Sequence, residues 1–255
     1  MDGYILNHRK NWNMIAVASN KSGVGKTWFA STLAHALSLL KQKTLFFDGD
    51  LGLLNINAQL GLTGEEGLAD VLSARKTLNQ VICHYDKTNF DVISGKSGSM
   101  SLVSIPIGRL QLLSEDLSIV STAYHKVILD MSAGVDKSVR ILSGMAGRLI
   151  VLCTEGSASL TEAYDFIKIM HEQYPKLNIG IVVNQADSLR EGQRTYDTLL
   201  AACHEFLQIS PPLLGIVRFD TRVRDSIRNQ TGILSRYPTS EASEDIINIA
   251  KRLLE

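Results

Sequence analysis

The sequence predicts an α/β fold: a single doubly wound, mostly parallel sheet with helices on both faces. Three observations carry this. Short apolar runs rich in β-branched residues recur along the chain, amphipathic stretches separate them, and none of the runs alternates cleanly between apolar and polar. Strands of that kind are buried on both faces, and strands interleaved with helices require crossovers that build an open twisted sheet. In such a sheet the ligand-binding loops gather at the carboxyl ends of the strands.

The apolar runs place strands at residues 14–19, 44–48, 91–94, 126–130, 148–153, 179–184 and 213–217. Between them, residues 26–40 read as a helix with Phe29, Leu33, Leu37 and Leu40 along one side, and residues 160–171 and 189–207 carry comparable stripes. The run from Ser94 to Ser99 follows a strand and reads as a loop. No internal repeat or Pro/Gly-rich linker divides the chain, so residues 14–255 form one domain behind an N-terminal extension, residues 1–13.

Bulk properties agree and exclude several classes. A chain of 255 residues that is 45% hydrophobic and 20% charged can bury a large core, which argues against disordered and fibrous proteins. Its 26 basic and 26 acidic residues cancel, so no overall field draws it to nucleic acid or anionic lipid. Cys83, Cys153 and Cys203 lack metal-ligand spacing and read as buried free thiols of a reducing compartment. The N-terminal segment lacks the apolar run of a signal peptide, and no apolar stretch approaches a bilayer span, so the expected location is cytoplasmic.

The chemistry concentrates in Asn20-Lys21-Ser22-Gly23-Val24-Gly25-Lys26-Thr27, between the first predicted strand and the first predicted helix. Glycines let backbone N–H groups curl around phosphate oxygens, and the helix start adds partial positive charge. Lys26 would reach the β and γ phosphates of ATP, and Thr27 would offer its hydroxyl to Mg²⁺. Asn20 stands where the usual pattern has glycine; asparagine is among the few residues that tolerate the unusual backbone angle often needed there. Val127-Ile128-Leu129-Asp130 is a hydrophobic strand ending in a carboxylate, the arrangement that holds Mg²⁺ in phosphate-binding sites.

The segment Lys21-Ser22-Gly23-Val24-Gly25-Lys26-Thr27 resembles the deviant Walker A loop, KGGxGK[ST], of the MinD/ParA family. The resemblance implies a P-loop NTPase fold of the SIMIBI type and an ATP sandwich homodimer. In it Lys21 reaches the nucleotide of the other subunit, as an arginine finger does. Asp48-Gly49-Asp50-Leu51-Gly52-Leu53-Leu54-Asn55 looks like the family's second motif, which implies that Asp50 orients the attacking water while Asp48 supports the magnesium shell. Met131-Ser132-Ala133-Gly134 resembles the family's switch loop, and Asn184 matches the asparagine that reads adenine. Lys21, Lys26 and Asp50 are thus the candidate catalytic residues, Thr27, Asp48 and Asp130 the candidate metal ligands, and Asn20 to Trp28 with Asn184 the candidate nucleotide contacts.

The strings Asp50 to Asn55, Leu60-Gly61-Leu62 and Ser159-Leu160-Thr161-Glu162-Ala163-Tyr164 look most like the FlhG branch (FleN or YlxH), which regulates flagellar number and placement. That implies slow, dimerisation-dependent ATP hydrolysis and a protein partner such as a flagellar regulator or GTPase. A MinD/ParA-type positioning or DNA-partitioning ATPase and a hydrolysis-impaired regulator are the alternatives. Ser22 replaces a family glycine and Trp28 a small hydroxyl residue, departures that point to weaker ATP binding or slow turnover. The N-terminal segment also lacks the DQAxxLR-type element by which many FlhG proteins engage the GTPase FlhF.

Residues 241–255 put Ile246, Ile247, Ile249, Ala250, Leu253 and Leu254 on one helical face. With acids at Glu241, Glu244, Asp245 and Glu255, this reads as the last core helix rather than a membrane-targeting one. Peripheral contact at the inner membrane face therefore has no clear C-terminal element to support it. Arg218, Arg222, Arg224 and Arg228 are interleaved with Asp220 and Asp225, which favours a solvated face or a nucleotide-adjacent helix over a nucleic-acid surface, and no specific nucleic acid is predicted.

Overall fold

The structure, a computed structural model, describes residues 11–50, 56–62, 66–95 and 105–255. Its strands are β1 (Asn11–Ser19), β2 (Thr44–Asp48), β3 (Cys83–Tyr85), β4 (Phe90–Ile93), β5 (Lys126–Ala133), β6 (Ala146–Cys153), β7 (Asn178–Ala186) and β8 (Leu213–Arg218). They form one sheet in the order β3-β4-β2-β5-β1-β6-β7-β8. Every neighbouring pair is parallel except β3–β4.

The helices are α1 (Lys26–Leu39), α2 (Ile56–Leu60), α3 (Leu68–Leu72), α4 (Ile107–Ser121), α5 (Lys137–Met145), α6 (Ser157–Gln173), α7 (Leu189–Ala202), α8 (Thr221–Arg228), α9 (Ile233–Arg236) and α10 (Glu241–Arg252). Successive side chains of a strand point to opposite faces, and β1 uses this to divide the core. Met14, Ala16 and Ala18 join Leu45, Phe47, Val127 and Leu129 under α4, α5, α6 and α7. Ile15 and Val17 join Phe46, Ile128, Ile150 and Val182 under α1 and α10. Helices on both faces of a parallel sheet therefore follow from strands that are apolar on both sides.

All seven expected strands form, with ends shifted by a few residues. The short β3 was not expected: Cys83 and His84 are exposed and only Tyr85 is buried, so no apolar run announces it. The expected helix 189–207 ends at Ala202 and widens into a π-helical turn, Cys203–Leu207, closed by Gln208 at φ 57°. That turn keeps Cys203 in the core while Phe206 faces solvent. Cys153 and Cys203 are buried as expected, but Cys83 is exposed, because it sits on the short edge strand.

α10 packs on β8 and α1, as a core helix should. Its start is capped by the Ser240 hydroxyl accepting from the Ser243 N–H, and its acids and bases lie at the ends that suit the helix dipole. Its buried stripe is narrower than the sequence implied, since Ile247 is only half-buried and Leu254 is exposed. At its other end the Arg252 guanidinium donates to the carbonyls of Leu213 (3.1 Å) and Leu214 (3.0 Å) on the outermost strand. Among the described residues no helix is long and apolar enough to cross a membrane.

Candidate functional site

The central strands β1, β5 and β2 end side by side, and their tips carry the site. β1 stops at Ser19, whose hydroxyl donates to the Lys21 carbonyl at 2.6 Å and folds the chain back. Gly23 (φ 79°) and Gly25 (φ 89°) then turn the loop through the left-handed region into α1. Asn20 is not among the positive-φ residues, which corrects the expectation of an unusual angle there: the two glycines make the turn, so position 20 need not. Gly25 caps α1 without any side chain satisfying the first turn's N–H groups, leaving an electropositive helix start.

A side chain at Gly25 would also be obstructed. A Cβ there would lie 2.6 Å from Asn184 Nδ2. Asn184, buried at the end of β7, donates that nitrogen to the Val24 carbonyl at 2.7 Å and pins the loop. Its amide oxygen is thereby the atom left to meet a ligand. Lys26 is buried with its ammonium 3.4 Å from the Lys21 carbonyl. Burial pulls its pKa below the ordinary lysine value while the charges of Asp130 and Asp50 oppose that.

Opposite Lys26 lie two fully buried carboxylates. Asp48 on β2 and Asp130 on β5 are register partners. Asp48 accepts from the N–H groups of Asp50 (3.1 Å) and Ile56 (3.3 Å), yet burial, with Asp130's charge behind it, raises its pKa well above the usual carboxylate range. The Asp130 carboxyl is pushed up to about 7, chiefly by burial, with Thr27 and Lys26 holding it down and Asp50 adding to the rise. Both Asp130 oxygens are buried without a well-aligned hydrogen-bond partner, the Thr27 hydroxyl included. Orphaned carboxylate oxygens beside a hydroxyl are what a hard divalent cation would satisfy. Among the described residues no group of three or more His, Cys, Asp or Glu could cage a metal unaided, so a cation here would draw its other ligands from water and a bound phosphate.

On the far side of Gly25 a cavity of about 170 Å³ is lined by Gly25, Trp28, Asn184, Gln185, Asp220 and Val223, among others. Arg218, which floors it, is tied to Asp245 through its backbone N–H (3.0 Å), Nε (2.9 Å) and Nη2 (2.9 Å). Arg224 also lines the cavity and stacks over Phe219, so α8 borders the cavity while Arg222, Arg224 and Arg228 stay exposed. Larger clefts of about 360 Å³ beside Arg109 and about 390 Å³ beside His84 lie away from the loop.

The expected residues Asn20 to Trp28, Asp48, Asp50, Asp130 and Asn184 thus converge on one end of the sheet. Lys21 is half-buried and Ser22 exposed at the loop's outer edge. Residues 51–55 of the second motif and the stretch from Lys96 to Ser99 lie outside the described residues. The first three residues of the expected switch loop are strand instead: β5 runs on to Ala133, which pairs with Ser19, and the turn begins at Gly134 (φ 112°). Sequence reasoning missed Gln185 and did not single out Asp220 as a site residue. Gln185 takes φ 58°, a strained angle of the kind found at ligand sites, and Asp220 precedes a helix as a cap.

The sequence pattern of the CobQ/CobB/MinD/ParA nucleotide binding domain family matches residues 15–233. The chain is similar to the antiactivator FleN of Pseudomonas aeruginosa, 28% identical over 240 residues, covering 94% of this chain and 85% of that protein. It is also similar to the flagellum site-determining protein YlxH of Helicobacter pylori, 24% identical over 98% of this chain and 84% of that one. Its fold matches that of the septum site-determining protein MinD complexed with Mg-ADP from Pyrococcus horikoshii, with TM-score 0.79, 20% identity and 94% of each chain covered.

Proposed function

The chain belongs to the CobQ/CobB/MinD/ParA nucleotide binding domain family, and on that premise we propose that it is an Mg-ATP-dependent, dimerising switch with slow ATP hydrolysis that regulates flagellar number or placement. The observation that carries the ATPase part is the fully buried Asp130 carboxylate, without a well-aligned hydrogen-bond partner and held down only by Thr27 and Lys26, beside a glycine-turned loop. Such an arrangement is unfavourable in the free protein and becomes favourable when a cation and a triphosphate complete it. The flagellar part is supported by the likeness to FleN and YlxH.

In this reading the loop amides from residues 20 to 27 and the α1 N-terminus hold the phosphates, and the Lys26 ammonium neutralises the β and γ oxygens. Trp28 flanks the base side, and Asn184 presents its amide oxygen to adenine. Thr27 and Asp130 hold Mg²⁺ with Asp48 behind them, and the ion when bound would supply the charge that stabilises the transferring phosphoryl group. Asp50 orients the attacking water. Lys21, at the exposed edge of the loop, crosses to the nucleotide of a second subunit, so hydrolysis waits for the homodimer. The dimer is the form that engages a protein partner, and hydrolysis releases it.

Gel filtration of Asp50→Ala with and without ATP tests the switch: a shift from monomer to dimer only with ATP supports it, and unchanged elution at nucleotide saturation refutes it. Single-turnover hydrolysis by the wild type, against Asp50→Ala and Lys21→Ala, tests the chemistry. A hydrolysis-impaired regulator is the second reading, favoured by the bulky Trp28 beside the loop. A wild type that retains ATP and cleaves none would select it.

A further inference from the structure

Two different residues anchor the two halves of the phosphate loop. The second half is pinned by Asn184 Nδ2, which donates to the Val24 carbonyl at 2.7 Å. The first half is held at the Lys21 carbonyl, which accepts from the Ser19 hydroxyl at 2.6 Å and from the Lys26 ammonium at 3.4 Å. Gly23 lies between these anchors at φ 79° with open space on its Cβ side, so the halves meet at a joint. Ser19 is itself firmly fixed: it is 1% exposed, pairs with Ala133 in the sheet, and its carbonyl accepts from the Gly134 N–H at 3.1 Å.

Among the described residues neither an ion pair nor a hydrogen bond holds the Lys21 ammonium, so its backbone sets where that side chain points. Of the two donors on the Lys21 carbonyl only Ser19 stays through a reaction cycle, because in the reading above the Lys26 ammonium turns to the β and γ phosphates once nucleotide binds. We propose that Ser19 is a positioning residue for ATP hydrolysis, whose hydroxyl fixes the Lys21 peptide and thereby aims the Lys21 ammonium at the nucleotide of the second subunit. This rests on the dimeric ATPase reading and adds to it the group that aims the crossing lysine. Displacing a positioned group by about 1 Å costs on the order of a hundredfold in rate. The amides that hold the phosphates, by contrast, keep their own anchor at Asn184 when Ser19 is changed.

Single-turnover hydrolysis at saturating ATP and calorimetric titration with Mg-ADP, both on the full chain, separate aim from binding. In Ser19→Ala the rate falls by about tenfold to a hundredfold, while Mg-ADP affinity stays within about twofold of the wild type. Ser19→Cys, which fills the same space with a weak donor, moves the rate in the same direction. In Lys21→Ala, whose residual turnover uses no crossing lysine, adding Ser19→Ala changes the rate by less than about twofold. An unchanged rate in Ser19→Ala overturns the proposal. So does an Mg-ADP affinity that falls as far as the rate, or an equal loss with and without Lys21, since either makes Ser19 a builder of the phosphate cup. A wild type that retains nucleotide and cleaves no ATP defeats the hydrolysis reading and this inference with it, while one that hydrolyses ATP without these couplings removes this inference alone.

Discussion

Replacing Asp130 with asparagine should make the nucleotide-free protein more stable at alkaline pH. The carboxyl is fully buried with neither oxygen well paired, and its pKa rises from 3.8 to about 7. At roughly 1.4 kcal/mol per unit, that rise corresponds to about 4 kcal/mol of differential stability. The direction follows from proton binding: across this window the folded state holds a proton that the unfolded chain releases. The stabilising contribution is complete below about pH 4 and disappears as pH climbs through about 7, so the ionised group strains the fold at pH 8. Asparagine removes the charge but leaves an amide needing partners, a counter-term of about 1–3 kcal/mol. The net expectation is a gain of about 1–3 kcal/mol at pH 8 that vanishes or reverses by about pH 5. Urea unfolding in the presence of a chelator, without nucleotide, at both pH values measures it. In the same variant Mg-nucleotide affinity should fall at least about tenfold, the loss of one charge-assisted contact. A variant less stable than wild type at pH 8, or a difference that ignores pH, would refute the view that Asp130 is held charged for a cation.

Gly25→Ala should lose about 2–3 kcal/mol in urea unfolding, from left-handed strain at φ 89° and from displacing the buried Asn184–Val24 hydrogen bond. Nucleotide titrations of the same variant should show weaker binding, and unaltered values in both assays would contradict the loop geometry. Asp245→Ala strips three hydrogen bonds from Arg218, whose guanidinium keeps its pairing with Glu241, and should destabilise by about 1–3 kcal/mol in urea unfolding. A thiol reagent should label Cys83 at once in the native protein. Cys153 and Cys203, whose thiols burial pushes up to about 12 and about 11, should react only on unfolding.

The central strands were legible in the sequence because both faces of each are apolar, so every run stands out whatever packs against it. β3 escaped notice for the opposite reason: three residues with two exposed leave no pattern, and the strand exists because β4 offers an edge. The phosphate loop and Asp130 could be read because their chemistry is continuous along the chain and tied to strand ends. The cavity beside Gly25 could not. It assembles Trp28 from α1, Asn184 and Gln185 from β7 and Asp220 from the cap of α8, segments that meet only through sheet order. Nor could the loop's backbone angles, since the sequence offered Asn20 as a turning point when Gly23 and Gly25 make the turn.

The treatment of the sheet's two margins bears on how copies of this chain can assemble. One margin is a three-residue strand running against its neighbour, with little backbone to offer a newcomer. At the other, Arg252 occupies carbonyls of Leu213 and Leu214 that a docking strand would compete for. Stunted or occupied edges guard β-proteins against ribbon-like aggregation. With strand addition discouraged on either flank, neither margin of the sheet is suited to recruiting a second copy of the chain edge to edge.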